Sequence, residues 1–213
     1  MTLRMKILVA VAVTFLVMAG LMSIMINRII LDSFERLEIQ KVKTNVTRVQ
    51  HAFREELNSL NVTGGDWGGW DETRDFVLGQ NASYIEDNLY DASVVNLRLN
   101  FMIFLNNAGE VVHAKAVDLE TEAETPVTDT LLSQLRSVAA RLTPENPDDS
   151  KIGFLQLPDS PALVAFRPIS DNEGEEPISG TLIIGRYLLA QEIDRMAERT
   201  QLSLELLPAD DPA

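Results

Sequence analysis

Apolar residues cluster at the start of this chain and then become periodic. Ile7 to Ile26 is a twenty-residue run without a charge. At about 1.5 Å per residue, a helix of that length covers roughly the 30 Å of a bilayer's hydrocarbon core. Beyond Arg28, apolar residues fall at Ile30, Phe34, Leu37, Val42, Val46, Val49, Phe53, Leu57 and Leu60, mostly three or four apart, with no proline or glycine between Arg28 and Leu60. That spacing predicts an amphipathic helix over 28–64 that runs on from the first. Gly64-Gly65 is expected to stop it. The stripe has two compatible uses: packing on its own domain and, nearer the membrane, pairing with a second copy as a short coiled coil.

Next, Asp66 to Val77 holds both tryptophans, Trp67 and Trp70. A short helix would put Trp67, Trp70 or Asp71, and Phe76 or Val77 on one side, either filling a core or walling a pocket. A polar stretch follows from Gln80 to Ala92. Phe101–Leu105 and Val111–Val117 then read as a hairpin around Asn106-Asn107-Ala108-Gly109-Glu110, with glycine where positive φ is needed. Asp118 to Thr125 reads as an acidic loop. Thr128 or Thr130 can cap a helix through Leu142 with Leu131, Leu135 and Val138 on one face. Three strands follow at Gly153–Leu157, Ala162–Ile169 and Gly180–Tyr187. A solvated loop with Asp171, Glu173, Glu175 and Glu176 joins the last two. Leu188–Thr200 reads as a helix facing inward through Leu189, Ile193 and Met196, and Leu202–Leu207 as a final strand. Strands joined by hairpins predict an antiparallel sheet with helices on one side. The α+β order suits a PAS-like or Cache-like domain over 65–207, ahead of a short tail, 208–213.

Charge places these parts. Arg4 and Lys6 precede the apolar run and no acidic residue occurs before Asp32, so residues 1–6 are expected in the cytoplasm and the rest outside. Val17-Met18-Ala19 loosely resembles a signal-peptide cleavage site. The run continues seven residues past it, so a retained anchor, 7–27, is the expectation. The chain has 18 Lys+Arg against 32 Asp+Glu. The acidic excess excludes nucleic acid as a default partner. There is no cysteine, so disulfides and thiolate chemistry are excluded. Two histidines, His51 and His113, cannot make a multi-histidine metal site.

Candidate chemistry is sparse. No G-x-S-x-G and no Walker lysine occur. The acidic run 118–124 lacks calcium-loop spacing. His113 falls in an expected strand and reads as structural. Catalytic residues, metal and cofactor are therefore all expected to be absent. Two arginines stand out. Alternation puts Arg167 on the face of Leu163 and Ala165, and Arg186 on the face of Leu182 and Ile184. An arginine on an apolar strand face needs a carboxylate, for which Asp66, Asp71 and Asp75 are candidates, or an anionic ligand. Tyr84, Asn88 and Tyr187 are weaker lining candidates. The ligand-site set is thus Asp66, Trp67, Trp70, Asp71, Tyr84, Asn88, Arg167, Arg186 and Tyr187.

The block from Asp66 to Val77 resembles the opening motif of the fourth class of CHASE domain. The resemblance continues through Tyr84-Ile85-Glu86-Asp87-Asn88-Leu89, the Asn106–Val112 hairpin and Phe166-Arg167-Pro168-Ile169, and closes at Ser179–Leu188. Five blocks in order over about residues 60 to 200 make it specific. The resemblance implies an extracellular sensory module of a prokaryotic receptor. Such receptors usually continue through a second span into a diguanylate cyclase, a cyclic-di-GMP phosphodiesterase or a histidine kinase. Gly68-Gly69 stands where the family often has a bulkier residue, which implies a looser local helix. The chain ends at Asp210-Asp211-Pro212-Ala213 without a second span, so it is expected to be the N-terminal part of a longer receptor. The expectation is a dimeric input domain in the inner (cytoplasmic) membrane that senses a small-molecule or protein ligand and performs no catalysis itself. The alternative is a standalone anchored protein presenting an interaction surface in trans.

Overall fold

The structure, a computed structural model, describes residues 2–142, 144–174 and 177–207. The 208–213 tail, Glu175 and Glu176, and the Ile30 side chain lie outside the described residues. Two compact units divide the chain, Met1–Val49 and Gln50–Ala213. The first helix, α1 (Leu3–Gly68), contributes to both.

In the first unit, Leu3–Ile26 is long and apolar enough to cross a membrane. Its side chains are exposed, and the Thr14 hydroxyl donates to the Ala10 carbonyl. That bond satisfies the hydroxyl inside the helix, which a hydrocarbon environment requires. Further along, Phe34, Leu37, Val42 and Val46 are also exposed.

The second unit is built on a six-stranded sheet in the order β3-β2-β1-β6-β5-β4. Its strands are β1 (Phe101–Asn106), β2 (Val111–Asp118), β3 (Ala123–Thr125), β4 (Lys151–Gln156), β5 (Pro161–Ile169) and β6 (Gly180–Tyr187). Every ladder is antiparallel. The helices are α2 (Asp71–Val77), α3 (Tyr84–Asn88), α4 (Asp91–Asn96), α5 (Asp129–Ala139) and α6 (Ala190–Thr200). Helices cover both faces, not one. Met102, Phe104, Leu163, Ala165, Leu182 and Ile184 pack with Leu60, Phe76, Tyr84, Val94, Ile193 and Met196, from every helix except α5. Phe101, Ile103, Leu105, Val164, Phe166 and Ile183 pack with Leu131 and Leu135 of α5. Strand alternation demands this, because both inward and outward positions of β1, β5 and β6 are apolar.

Four local readings are corrected. Gly64-Gly65 does not end α1, which continues to Gly68. These glycines form a flat helix face against β5. A Cβ on Gly64 would lie 2.8 Å from Arg167 Cγ, and one on Gly68 would lie 2.7 Å from the Pro168 carbonyl oxygen. The Gly68 carbonyl accepts from Ser170 N–H at 2.9 Å, which satisfies a group the helix end leaves open. The glycines therefore tighten the helix–strand contact where a looser helix was expected. Second, the 80–92 stretch contains α3 and the start of α4. Tyr84, Leu89, Val94 and Leu99 are all buried. Their spacing of five matches neither a helix nor a strand, because two one-turn helices break between them. Third, the acidic loop contains the edge strand β3. Its pairing is fixed by Lys115, whose Nζ bridges Asp91 at 2.6 Å and Glu124 at 2.9 Å. Fourth, residues 202–207 form no strand. Leu202 and Leu204 still turn inward, and Leu204 packs on the core.

Capping follows chemistry. Thr128, not Thr130, starts α5 by accepting from Leu131 N–H. Leu189 lies outside α6 as its exposed cap, leaving Ile193 and Met196 as the apolar contact. His113 sits in β2, with its ring 6.2 Å from Phe76 and 6.5 Å from Phe104. Burial, then the Lys115 charge, lowers its pKa against an opposing pull from Glu124.

Two predictions follow from this packing. Gly68→Val drives a side chain into the β5 backbone and should cost about 1–3 kcal/mol. Gly153→Ala in β4 enters open space and should be near neutral; thermal melts of the two variants would separate them. Because the fold lowers the His113 pKa, the unfolded chain binds its proton more readily below about pH 6.5. Stability should fall as pH drops through that window, and less so in His113→Gln, as urea titrations at pH 7 and 5.5 would read.

Candidate functional site

Strand register brings the two sequence-marked arginines onto one face. Arg186 pairs across the ladder with Leu163, and Arg167 with Leu182. Both guanidiniums turn toward the α1 side, each with the apolar strand neighbours that alternation gives it. Their fates then differ.

Arg186 is 3% exposed. Its Nη1 donates to Glu56 of α1, its Nε to the Arg98 carbonyl at 2.6 Å, and its Nη2 to the Leu97 carbonyl at 3.2 Å. Arg98 adopts the left-handed conformation, φ 56°, in the turn that presents these carbonyls. The other Glu56 oxygen accepts from Arg199 of α6, whose second nitrogen reaches Glu55. Arg98 in turn pairs with Glu192, which also pairs with Arg195 at 3.1 Å. Four arginines and three glutamates thus tie α1, β6, α6 and the α4–β1 turn together. Burial, then the Arg98 charge, pulls the Arg186 pKa below its ordinary value, while Glu56 acts against both. The required carboxylate partner exists, but it is Glu56 in place of Asp66, Asp71 or Asp75. Asp75 pairs with Arg74 at 3.1 Å. Asp71 accepts the Asn172 backbone N–H at 3.0 Å and its amide at 2.9 Å, fixing the start of the β5–β6 connection.

Arg167 lies over the glycine face of α1. Its Nη1 makes long contacts to Asn61 Oδ1 at 3.4 Å and the Asp148 carbonyl at 3.3 Å. Its Nε is buried without a hydrogen-bond partner among the described residues. No described carboxylate forms an ion pair with it. The residue borders a cleft of about 470 Å³, also lined by Asp66, Asp148, Asp171, Asn172 and Glu173. Four carboxylates around one guanidinium favour a ligand bearing positive charge.

The remaining candidates separate. Trp67 packs against the core and meets the rim residue Trp70 edge-on at 5.8 Å. Tyr84 has no exposed surface, stacks on Phe76 at 4.5 Å, and shares a 2.7 Å hydrogen bond with Thr73. Burial raises its pKa to about 12 despite that bond. The Asn88 amide donates to the Tyr84 carbonyl at 3.2 Å. Tyr187 lies on the opposite face from Arg186, edge-on to Phe101 at 5.6 Å. Burial, with the Asp159 charge, raises its pKa to about 12. The structure therefore gathers Asp66, Asp71 and Arg167 around the β5–β6 connection and takes Tyr84 and Arg186 into the core. Sequence reasoning missed Glu56. The available signal was a carboxylate set among Phe53, Leu57 and Leu60 in the apolar phase of α1.

Removing one member of a buried pair strands the other. Glu56→Ala should cost about 3–5 kcal/mol, whereas Arg199→Ala, at a half-exposed position, should cost about 1 kcal/mol or less. Glu56→Leu combined with Arg186→Met should recover most of the loss. Urea unfolding of the three proteins checks the order.

Residues 52–207 match the CHASE4 domain family. Over 206 residues, 97% of this chain, the sequence is 32% identical to the methanogenesis regulatory histidine kinase FilI of Methanothrix harundinacea (strain 6Ac). The chain spans 23% of that relative's length. The extracellular domain of the putative histidine kinase vpHK1S-Z8 superposes with a TM-score of 0.55 at 13% identity, covering 74% of this chain and 61% of that one. At that identity the likeness bears on the fold alone. The periplasmic domain of Vibrio cholerae LuxQ gives a TM-score of 0.49 at 12% identity over 74% of this chain and 70% of that one. The family match extends from the last turns of α1 through all six strands to the chain beyond α6, so the chain belongs to the CHASE4 family and carries its sensor domain over residues 52–207.

Proposed function

We propose that this chain is the input half of a membrane-bound signalling receptor, anchored by its first helix with the CHASE4 domain outside the cell's inner (cytoplasmic) membrane. The observation that carries this reading is α1 itself. One unbroken helical run, Leu3–Gly68, contains a membrane-length apolar segment and the residues built into the sensor core, Ala52, Glu56, Leu60 and Gly64. Arg4 and Lys6 before the apolar segment favour a cytoplasmic N-terminus. The domain binds and does not catalyse. A ligand that prefers one of two arrangements of α1 against the sheet shifts their populations, and signalling needs nothing more. The similarity to a histidine kinase supports an output module of that kind in the whole protein.

The receptor works as a dimer. Phe34, Leu37, Val42 and Val46 form an exposed apolar stripe outside the membrane-length segment. Two copies in one bilayer share a direction, so their stripes meet in parallel.

The absence of cysteine makes the test clean. Val46→Cys should give a disulfide-linked dimer on mild oxidation of native membranes, and Thr47→Cys, opposite the centre of the stripe at about 100° per residue, should not. An antibody to residues 66–200 should detect a band well above 23.7 kDa, digestible by protease added outside the cell. A membrane band near 23.7 kDa would overturn the receptor reading in favour of an anchored interaction protein. Equal cross-linking at both positions would overturn the dimer.

A further inference from the structure

We infer that the α5 face of the sheet carries a binding site for a small organic carboxylate, with Arg136 as its anchor. A cleft of about 800 Å³ opens between the β1–β2 hairpin, the C-terminal half of α5 and the start of β6. This volume is ample for a small organic molecule. Among the described residues, its wall contains no acidic residue, and Arg136 is its only charged side chain. That is unexpected on a protein with 32 acidic residues and a net charge of −14. Screening makes the local lining decisive. At physiological salt the Debye length is about 8 Å, so distant surface carboxylates contribute little to the potential inside the cleft.

Arg136 is set up to receive an anion. Its Nε donates to the carbonyl of Gly109 at 2.8 Å. Gly109 forms the hairpin tip at φ 72°, a conformation glycine adopts without strain. That bond orients the guanidinium plane. Neither Nη group hydrogen-bonds to a described residue, and together they match the two oxygens of a carboxylate. Ser133, Ser137 and Thr181 add hydroxyls, while Leu142, Pro144 and Ile178 offer apolar surface for the body of the molecule. The other two arginines of interest are unsuited to this ligand. Arg186 is consumed by Glu56 and two carbonyls, and Arg167 shares its cleft with four carboxylates.

The cleft also borders the β5–β6 connection. Asn107 holds the Ile178 carbonyl at 2.7 Å on the cleft side. At the other end of the same connection, Ser170 holds the terminal carbonyl of α1. A bound carboxylate would thus act on a segment that touches α1. This consequence rests on the sensor reading, whereas the binding site itself does not.

The test uses the full chain in lipid nanodiscs, with benzoate and its uncharged isostere benzamide as probes. Saturation-transfer NMR and calorimetry would be read against empty nanodiscs. Benzoate should saturate and bind about tenfold or more tighter than benzamide, the difference a charge-assisted contact supplies. Arg136→Gln should erase the preference, and Arg136→Lys should keep part of it. Ser137→Trp, which fills the cleft but retains Arg136, should weaken benzoate. Both positions are exposed, so melting curves should stay unchanged. Equal affinity for the two probes, no saturable binding up to about 10 mM, or a preference that survives Arg136→Gln would overturn the site. None of these outcomes alters the band mass or cross-linking that decide the receptor reading.

Discussion

Within the sensor domain, the Glu56 carboxylate holds two guanidiniums at once, Arg186 from the middle of the sheet and Arg199 from the last helix. Burying such ions costs several kcal/mol each, and their attraction repays that cost only when the geometry is good. The arrangement is therefore a device for position more than for strength. Moving α1 by one residue would rotate Glu56 about 100° away from β6 and leave Arg186 buried beside carbonyls alone. The glycine face of Gly64 and Gly68 lets the helix approach β5 closely, but a flat face has no preferred register. The buried pair supplies the register that the glycines do not.

The same constraint organises the second layer of contacts. Arg98 and Arg199 each join a helix or turn to the network, so α6 and the α4–β1 turn are placed by charge as well as by apolar packing. On the β5 side, Asp71 and the Gly68 carbonyl fix the beginning of the β5–β6 connection. One face of the sheet is thus committed to holding α1. The other, covered by α5, has no buried charge network among the described residues and leaves open the cleft around Arg136.

Much of the fold was legible from periodicity. β1, β2, β5 and β6 fall within a residue or two of their expected ends, because alternation and the Asn106–Gly109 turn are local signals. The elements that escaped are those whose determinants are not local. Tyr84, Leu89, Val94 and Leu99 are core residues spaced by five, a period that belongs to no regular element. β3 is polar and exists through Lys115 and its pairing with β2. Gly64-Gly65 carries a stop signal locally, yet β5 requires glycine there for close approach.

The sequence by itself determined the class of the protein: an apolar segment of membrane length, a long amphipathic helix, an acidic α+β domain and the tryptophan-rich motif of its family. It also determined which neighbours in its own strand each of Arg167 and Arg186 shares a face with, since side-chain direction along a strand alternates by parity. Only the tertiary structure decided what those arginines meet. Glu56 is 130 residues from Arg186 in the chain. No spacing rule connects a helix to a strand across such a distance, because partner choice follows from how the helix docks on the sheet. The cleft at Arg136 has the same origin. Its walls come from a hairpin, a helix and a strand end, and the set of described residues lining it, none of them acidic, exists only once folding has brought them together.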